Sequence, residues 1–391
     1  MDAMTHNAAA IAGLGITEQG KVYGRTARQF AAKAVRLAAA DAGLELSDID
    51  GLIVSGGIRS GVGIDLQGAL GLVDLKLLTA MQGFGSTAAQ MVQYASMAVQ
   101  SGMVDTVAVV WADDPLKESS SASAAYTAAR SVPRGWGGIT ASNGITSPNV
   151  MYALAARRHM KKYGTTSDQL GHIAVAQRDW AQLNPIAQFH GTPLTLAEYH
   201  ASRYIAEPFH LYDCCLVSNG GVAIIVTSLE RARTLRQPPV RVLGWAQAHP
   251  GRTGIRNDDF GLVSGAAESG PRALKMAGTT LDEVGVAQIY DCYTFTALLT
   301  LEDYGFFPKG EGGPGVAEPG MIGPNGRIKF NTGGGELSAF YMWGMTPLHE
   351  AVVQARGQGG ARQVADHDRV LVSGNGGILD FHSTLVLGTD N

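Results

Sequence analysis

The sequence predicts an α/β fold built from two related halves, and three observations predict it. Buried-strand and helix patterns alternate from residue 8 to residue 111, as expected of a sheet covered by helices. The alternation lapses between about 117 and 210 and restarts from Pro239. Leu78-Thr79-Ala80-Met81-Gln82-Gly83-Phe84-Gly85-Ser86-Thr87 lines up without a gap on Leu337-Ser338-Ala339-Phe340-Tyr341-Met342-Trp343-Gly344-Met345-Thr346. Leu, Ala, Gly and Thr agree, and both stretches run into a helix.

Taken in order, 8–16 is a short apolar run containing Gly13 and Gly15, a buried strand. Residues 26–42 carry Phe30, Ala31, Ala34, Val35, Leu37 and Ala38 at helical spacing, and Gly43 closes the helix. A strand at 50–55 runs into Gly56-Gly57, 85–101 is a second helix, and DTVAVVW at 105–111 is a strand buried on both faces. The stretch 117–148 is rich in Ser, Ala, Gly and Thr with little periodicity, an excursion over the site. Helices are expected at 149–163, 166–183 and 195–205, and a strand at 222–227. The pattern then repeats: strand 240–244, helix 270–277, strand 286–290, helix 295–304, a Gly/Pro-rich loop at 310–326, helix 345–356, and strands 369–373 and 383–387. Ala42–Ile49 has a counterpart in Ala277–Val284: a helix end, a turn and the approach to a buried strand. The division expected is 1–238 and 239–391, with the excursion at about 117–210 inside the first half. A pseudo-twofold between the halves makes Gln82 and Tyr341 equivalent, on two sides of one site.

Composition narrows the function. Hydrophobic residues make up 45% of the 391 and charged residues 16%, a globular chain with a large core. A net charge of −4 with scattered Lys and Arg gives no nucleic-acid stripe. The 51 glycines are not periodic and cluster in loops. Cys214, Cys215 and Cys292 form no disulfide framework and no CxxC metal spacing, so no metal is expected. No basic segment followed by an apolar one opens the chain, and no run reaches the ~18 to 20 apolar residues of a membrane span, so a cytoplasmic setting without membrane contact is expected.

The most telling stretch is Asn331-Thr332-Gly333-Gly334-Gly335-Glu336-Leu337-Ser338-Ala339-Phe340-Tyr341-Met342-Trp343-Gly344. Three successive glycines suit a loop where main chain approaches something closely or takes positive φ. Tyr341 is the polar side chain this loop offers at the mouth of a helix. Tyr290 and Tyr293 lie near a strand end, and Asn375-Gly376-Gly377 is a second candidate for close approach to substrate.

Together, Tyr152–Tyr163 (YALAARRHMKKY), the block 213–228 (DCCLVSNGGVAIIVTS), Tyr290-Asp291-Cys292-Tyr293 leading to Leu301-Glu302-Asp303-Tyr304-Gly305-Phe306, and the Gly334–Gly344 loop carry a resemblance. Over almost its full length the chain resembles the thiolase superfamily, in its sterol-carrier-protein-type, lipid-transfer thiolase-like branch. The resemblance implies a duplicated, five-layered αβαβα sandwich, a homodimer, and action on acyl-CoA thioesters. The departures are as informative. Thiolases place a nucleophilic cysteine three residues before a helix-opening glycine; here that position is Gln82. The thiolase histidine falls on Tyr341, the His-Asp-Cys-Phe motif has become Tyr290-Asp291-Cys292-Tyr293, and the late acid/base cysteine has no counterpart near 373–375. The Tyr-Asp motif and Gly-Gly-x-Leu-Ser-x-x-Tyr-x-x-Gly resemble instead the thiolase-like steroid side-chain aldolases of bacteria. That likeness implies retro-aldol cleavage of a 3-hydroxyacyl-CoA. It also implies a small OB-fold, zinc-ribbon partner in a heterotetramer.

Retro-aldol cleavage needs a base for the hydroxyl proton, a hold on the thioester oxygen and an acid for the α-carbon, but no covalent intermediate and no cofactor beyond the CoA thioester itself. The resemblance puts Tyr290 and Tyr341 in the acid/base roles, in either order, with Tyr293 as a competitor. A tyrosine with its usual pKa of ~10 is a poor base alone and a reasonable member of a proton-shuttling pair. Gln82, Gly334, Gly335, Asn375 and Gly376 are the substrate-binding candidates, with main-chain N–H groups of 333–335 and 374–377 as oxyanion donors. Asp291 is expected to cap the following helix, and the cysteines to be buried hydrophobes. The cations Arg157, Arg158, Lys161 and Lys162 suit a solvated helix face better than CoA phosphates. Pocket lining is expected from 117–148 and 249–265. The alternatives are a degenerate thiolase that carries acyl-CoA or lipid, a thiolase-type acyltransferase subunit with another nucleophile such as Ser86, and a scaffold for a partner.

Overall fold

The computed structural model describes residues 8–58, 61–122, 125, 136–145, 147–251 and 259–390. Of the stretches expected to line a pocket, 123–124, 126–135, 146 and 252–258 lie outside the described residues. In chain order the strands are β1 (Ala9–Ile16), β2 (Gly51–Gly56), β3 (Leu77–Ala80), β4 (Thr106–Asp113), β5 (Tyr204–Ala206), β6 (Phe209–His210), β7 (Gly220–Ser228), β8 (Val240–Ala248), β9 (Val286–Gln288), β10 (Arg369–Gly376) and β11 (Phe381–Gly388).

Nine of them form one ladder in the order β3-β2-β4-β7-β1-β8-β11-β10-β9, and β5 and β6 make a separate ribbon. The ladder reads the same outward from its middle. β1 pairs antiparallel with β7, β7 antiparallel with β4, and β4 parallel with β2, which pairs parallel with β3. On the other side β8 pairs antiparallel with β11, β11 antiparallel with β10, and β10 parallel with β9. A parallel bridge from Ala287 to Phe330 stands where β3 stands in the first set. Within the ladder of the described residues the two sets are joined through Ala10–Arg241 and Ile11–Val240.

The helices turn this ladder into five layers. Helix Ala27–Ala42 starts at a Thr26 capping box and ends at Gly43, whose φ is 78°. Its buried face (Phe30, Ala31, Ala34, Val35, Ala38) packs on Leu52, Val54, Ala108, Val110, Ala223 and Ile225. The alternate residues Ile53, Val107, Val109, Val222 and Ile224 point the other way, into the core that holds Met91, Val92 and Ala95 of helix Thr87–Gln100. Helices Thr87–Gln100 and Met345–Ala355 form the central layer; the former touches β4 and β7 on one side and β10 and β11 on the other. Helix Ala266–Ala277 covers the outer face of β8 and β11, as Ala27–Ala42 covers β1 and β7. Both outer helices lie close because strand glycines admit them. A Cβ on Gly15 would sit 2.3 Å from the Ala34 carbonyl oxygen, and one on Gly244 2.3 Å from that of Ala273. After each outer helix comes a left-handed glycine (Gly43, Gly278) and then one 3₁₀ turn, Leu46–Asp48 or Leu281–Glu283.

Several boundaries differ from the sequence expectation. The helix expected over 195–205 is Leu196–Ala201, because Ser202 is extended and Tyr204 pairs with His210. The glycine-rich loop at 310–326 contains helix Gly312–Ala317, and the excursion contains helix Trp136–Ser142. The helix placed at 270–277 begins at Ala266 and carries Pro271 inside it. β9 stops at Gln288 because Asn331 Oδ1 accepts the Ile289 N–H at 2.6 Å, which removes a ladder donor just before Tyr290.

Candidate active site

Two glycine loops meet where the central helices begin. In the first, Gln82–Thr87 makes a tight elbow: Phe84 takes φ of 54°, the Gly83 N–H donates to Thr87 Oγ1 at 2.7 Å, and helix Thr87–Gln100 follows. Gly85 has no room for a side chain. A Cβ there would lie 2.2 Å from the Tyr290 ring and 2.2 Å from the Asn375 carbonyl oxygen. The elbow therefore packs directly on Tyr290.

The second loop delivers Tyr341. Its N–H donates to Ser218 Oγ at 3.0 Å, and Gln188 Nε2 donates to the same Oγ at 2.6 Å. The Tyr341 hydroxyl then lies 3.0 Å from that of Tyr290, with ring planes 60° apart. Tyr290 is 4% exposed, whereas Tyr341 is only half-buried. Burial pushes the Tyr290 phenol well above its ordinary range, and the neighbouring Tyr341 and Glu336 add to the shift. Tyr290 is thus a neutral phenol at physiological pH. The pair offers two hydroxyls in hydrogen-bond contact, one on a buried residue and one on a half-buried residue.

Tyr293 does not join them. Its hydroxyl donates to Asn149 Oδ1 at 2.5 Å and its ring stacks on Phe209 with centroids 5.0 Å apart, so it anchors the start of helix Thr294–Tyr304. Gln82 is exposed and its Oε1 accepts the Phe84 N–H at 2.9 Å, which supports the elbow. Asn375 is buried on β10, but strand alternation turns its side chain away from the elbow. Cβ directions at Gly374 and Gly376 meet Gly85 and Gly83, and the out-of-phase Ser373 instead reaches His382 at 3.2 Å. The Asn375 carbonyl is what touches Gly85. A Cβ on Gly376 would lie 2.4 Å from the Gly83 carbonyl oxygen, so the β10–β11 turn also rests on the elbow.

The triple glycine makes the close approaches its sequence implies, with φ of 99° at Gly334 and 60° at Gly335. Cβ atoms on Gly333, Gly334 and Gly335 would meet Glu350 Oε2 at 2.9 Å, Ala181 Cβ at 2.8 Å and Asp291 Oδ2 at 2.1 Å. All three are buried, and on the side a Cβ would take their close approaches are to the protein's own atoms. Asp291 is no helix cap. It accepts the Glu336 N–H at 2.7 Å and ties the loop to the strand end that carries Tyr290. Desolvation pushes its carboxyl up to about 7, against hydrogen bonds that favour the charged form.

Other candidates resolve as structural. Ser86 is buried, donates to the Gly83 carbonyl at 2.7 Å and accepts from Gln90, with no base beside it. Burial pushes the Cys214, Cys215 and Cys292 thiols up, away from thiolate character. Arg157 pairs with Glu207 and Arg158 donates to the Phe260 carbonyl. Among the described residues no group of three or more His, Cys, Asp or Glu could hold a metal ion, and no helix is long and apolar enough to cross a membrane. The sequence reading passed over Ser218, Gln188, Asn331 and Glu336. Of these, Glu336 alone carried a signal, as the one ionisable residue next to the glycine run.

Known proteins share this arrangement of chain. A family profile described as Thiolase C-terminal domain-like matches residues 246–389. The steroid side-chain-cleaving aldolase of Thermomonospora curvata is 36% identical, over 98% of this chain and 98% of its own. The 17-hydroxy-3-oxo-4-pregnene-20-carboxyl-CoA lyase of Mycobacterium tuberculosis is 36% identical, over 98% of this chain and 100% of its own. Among solved structures, one described as an Ltp2-ChsH2(DUF35) aldolase superposes with a TM-score of 0.88 at 35% identity, covering 99% of each chain.

Proposed function

We propose, from the premise that this chain belongs to the thiolase superfamily, in the branch of the steroid side-chain-cleaving aldolases, that it cleaves a 3-hydroxyacyl-CoA by a retro-aldol reaction. The products are a ketone or aldehyde and a shortened acyl-CoA. The observation that carries the reading is the 3.0 Å contact between the Tyr290 and Tyr341 hydroxyls at a site where the thiolase cysteine position is Gln82.

Two neutral phenols in contact can run this reaction without a tyrosinate. The substrate hydroxyl gives its proton to Tyr341 Oη, Tyr341 passes its own to Tyr290 Oη, and the Tyr290 proton goes to the α-carbon. The Cα–Cβ bond electrons enter the thioester as an enolate and end in the new C–H bond, while the oxygen pair closes the new carbonyl. The proton count is unchanged over one turnover. The half-buried Tyr341 meets the hydroxyl, and the buried Tyr290 protonates carbon from the wall. Main-chain N–H groups of the Gly333–Gly335 and Gly374–Gly377 loops are the candidates for the enolate oxygen, a contact worth up to several kcal/mol in a dry site.

The acyl group in this reading is a steroid side chain, as the names of the two curated relatives describe for those proteins. The solved relative's description joins Ltp2 to ChsH2(DUF35). A small OB-fold, zinc-ribbon partner, a homodimeric core within a heterotetramer and a cytoplasmic setting belong to the same proposal. So does a division of the chain into halves 1–238 and 239–391. The test is co-expression with a small OB-fold, zinc-ribbon protein of the proposed kind, then incubation with steroid 3-hydroxyacyl-CoA esters. A released ketone or aldehyde with a shortened acyl-CoA is expected. Binding without turnover, or a covalent acyl adduct on the protein, would overturn the reading.

A further inference from the structure

Glu336 is fully buried, and among the described residues neither of its carboxyl oxygens has a hydrogen-bond partner. Buried polar side chains are nearly always satisfied, so this one requires an explanation. An ionised carboxylate left unpaired in such a place is far more costly than a neutral acid.

Its surroundings decide its state. The loop donor that could steady a charge, the Glu336 N–H itself, is already given to Asp291 Oδ1 at 2.7 Å. From the strand end come Tyr290 and Asp291; from the start of helix Thr294–Tyr304, Cys292; from the segment before β7, Cys215; and from helix Pro148–Tyr163, Tyr152. None of these is a cation. Helix Ser167–Gln182 brings Arg178 to the same turn, but its guanidinium is engaged by Ser338 Oγ, the Thr192 carbonyl and the Phe189 ring. On helix Met345–Ala355, Glu350 is paired with Arg362, and His349 lies across a small internal cavity from Asp291. Of the two adjacent carboxyls, Asp291 has the donors and Glu336 has none.

We propose that Glu336 is a positioning residue for the tyrosine pair: held protonated beside Tyr290, it adds no second negative charge to the one Asp291 can carry in that wall while negative charge develops on the enolate. It acts through Tyr290 and not on substrate. A second anion there would oppose both enolate formation and the passage of a proton through neutral phenols. The direction of its titration agrees: burial first, then the charge of Asp291, push the Glu336 carboxyl well above its ordinary value of 4.5.

The inference rests on the aldolase reading, so the test has an arm that does not need activity. In the complex, the ratio of kcat for Glu336→Gln to kcat for the native enzyme is expected to rise by about tenfold per pH unit above the native alkaline limb, since Gln cannot ionise. Asp291→Asn removes the neighbouring charge, lets Glu336 ionise earlier, and is expected to move that limb to lower pH. A flat ratio for Glu336→Gln, or an unmoved limb for Asp291→Asn, overturns the proposal. Independently of turnover, denaturant unfolding compares stabilities. The unfolded chain releases the Glu336 proton above about 4.5 while the fold retains it, so this group weakens folding progressively as pH rises. The stability of Glu336→Gln relative to the native protein should therefore grow between pH 4 and pH 8; a constant or shrinking difference also overturns it. If no substrate is cleaved at any pH, the aldolase reading fails, and the unfolding arm still decides the state of Glu336.

Discussion

The elbows at Gln82–Thr87 and Tyr341–Thr346 are two copies of one backbone device that now do different work. Phe84 and Trp343 both take left-handed φ, 54° and 49°. The Gly83 and Met342 N–H groups both donate to the threonine four residues on, at 2.7 and 2.9 Å. The Ser86 and Met345 N–H groups close matching turns onto the Gly83 and Met342 carbonyls. The elbows press together: the Phe84 and Trp343 rings are 5.9 Å apart, and a Cβ on Gly344 would meet the Gly85 carbonyl oxygen at 2.3 Å. Non-glycine residues in this φ region cost about 1–3 kcal/mol each and persist where the surroundings over-determine them. What differs is the side chain each elbow presents. Gln82 folds back onto its own turn, whereas Tyr341 reaches across to Tyr290. In the proposed reaction one copy serves as framework and the other carries the chemistry.

Substitutions that break this contrast should do so unequally. Tyr341→Phe removes the relay hydroxyl and is expected to lower kcat by roughly 10²- to 10⁴-fold, with CoA-ester binding intact by calorimetry. Gly85→Ala and Gly344→Ala both force an elbow apart and should each lower Tm, by an amount matching about 1–3 kcal/mol of overpacking. Only Gly85→Ala pushes on the Tyr290 ring, so it should also lose activity in excess of its unfolded fraction. Gln82→Ala removes one supporting bond to the Phe84 N–H, and a loss of about 1 kcal/mol in stability, read by denaturant unfolding, is expected. Phe84→Gly relieves left-handed strain but gives up ring contacts with Trp343 and Phe381, so its stability should change by less than about 1 kcal/mol.

The fold was legible where pattern is local. Apolar spacing places the outer helix at 26–42 and the buried strand at 105–111, and the repeat between 78–87 and 337–346 points to a duplication. The site was legible only in part. The glycine loop singles out Tyr341, the family resemblance pairs it with Tyr290, and the structure puts their hydroxyls in contact. Tyr293, three residues away, could be separated from Tyr290 only through Asn149 and Phe209, partners more than 80 residues distant in sequence. The three glycines announced a close approach but not to what; Ala181, Asp291 and Glu350 are supplied by other elements. Asn375 depended on strand phase, since one residue of shift decides which face of β10 a side chain takes. Ser218 and Gln188 hold Tyr341 from segments more than 120 residues away and left no local sign.

The relay itself is tested most directly by a double-mutant cycle on Tyr290→Phe and Tyr341→Phe, with kcat/KM measured in the assembled complex. Groups that pass one proton along a chain fail together, so the double variant should be no more than about threefold slower than the slower single variant. Losses that multiply would mean that the two hydroxyls act independently and would contradict the relay.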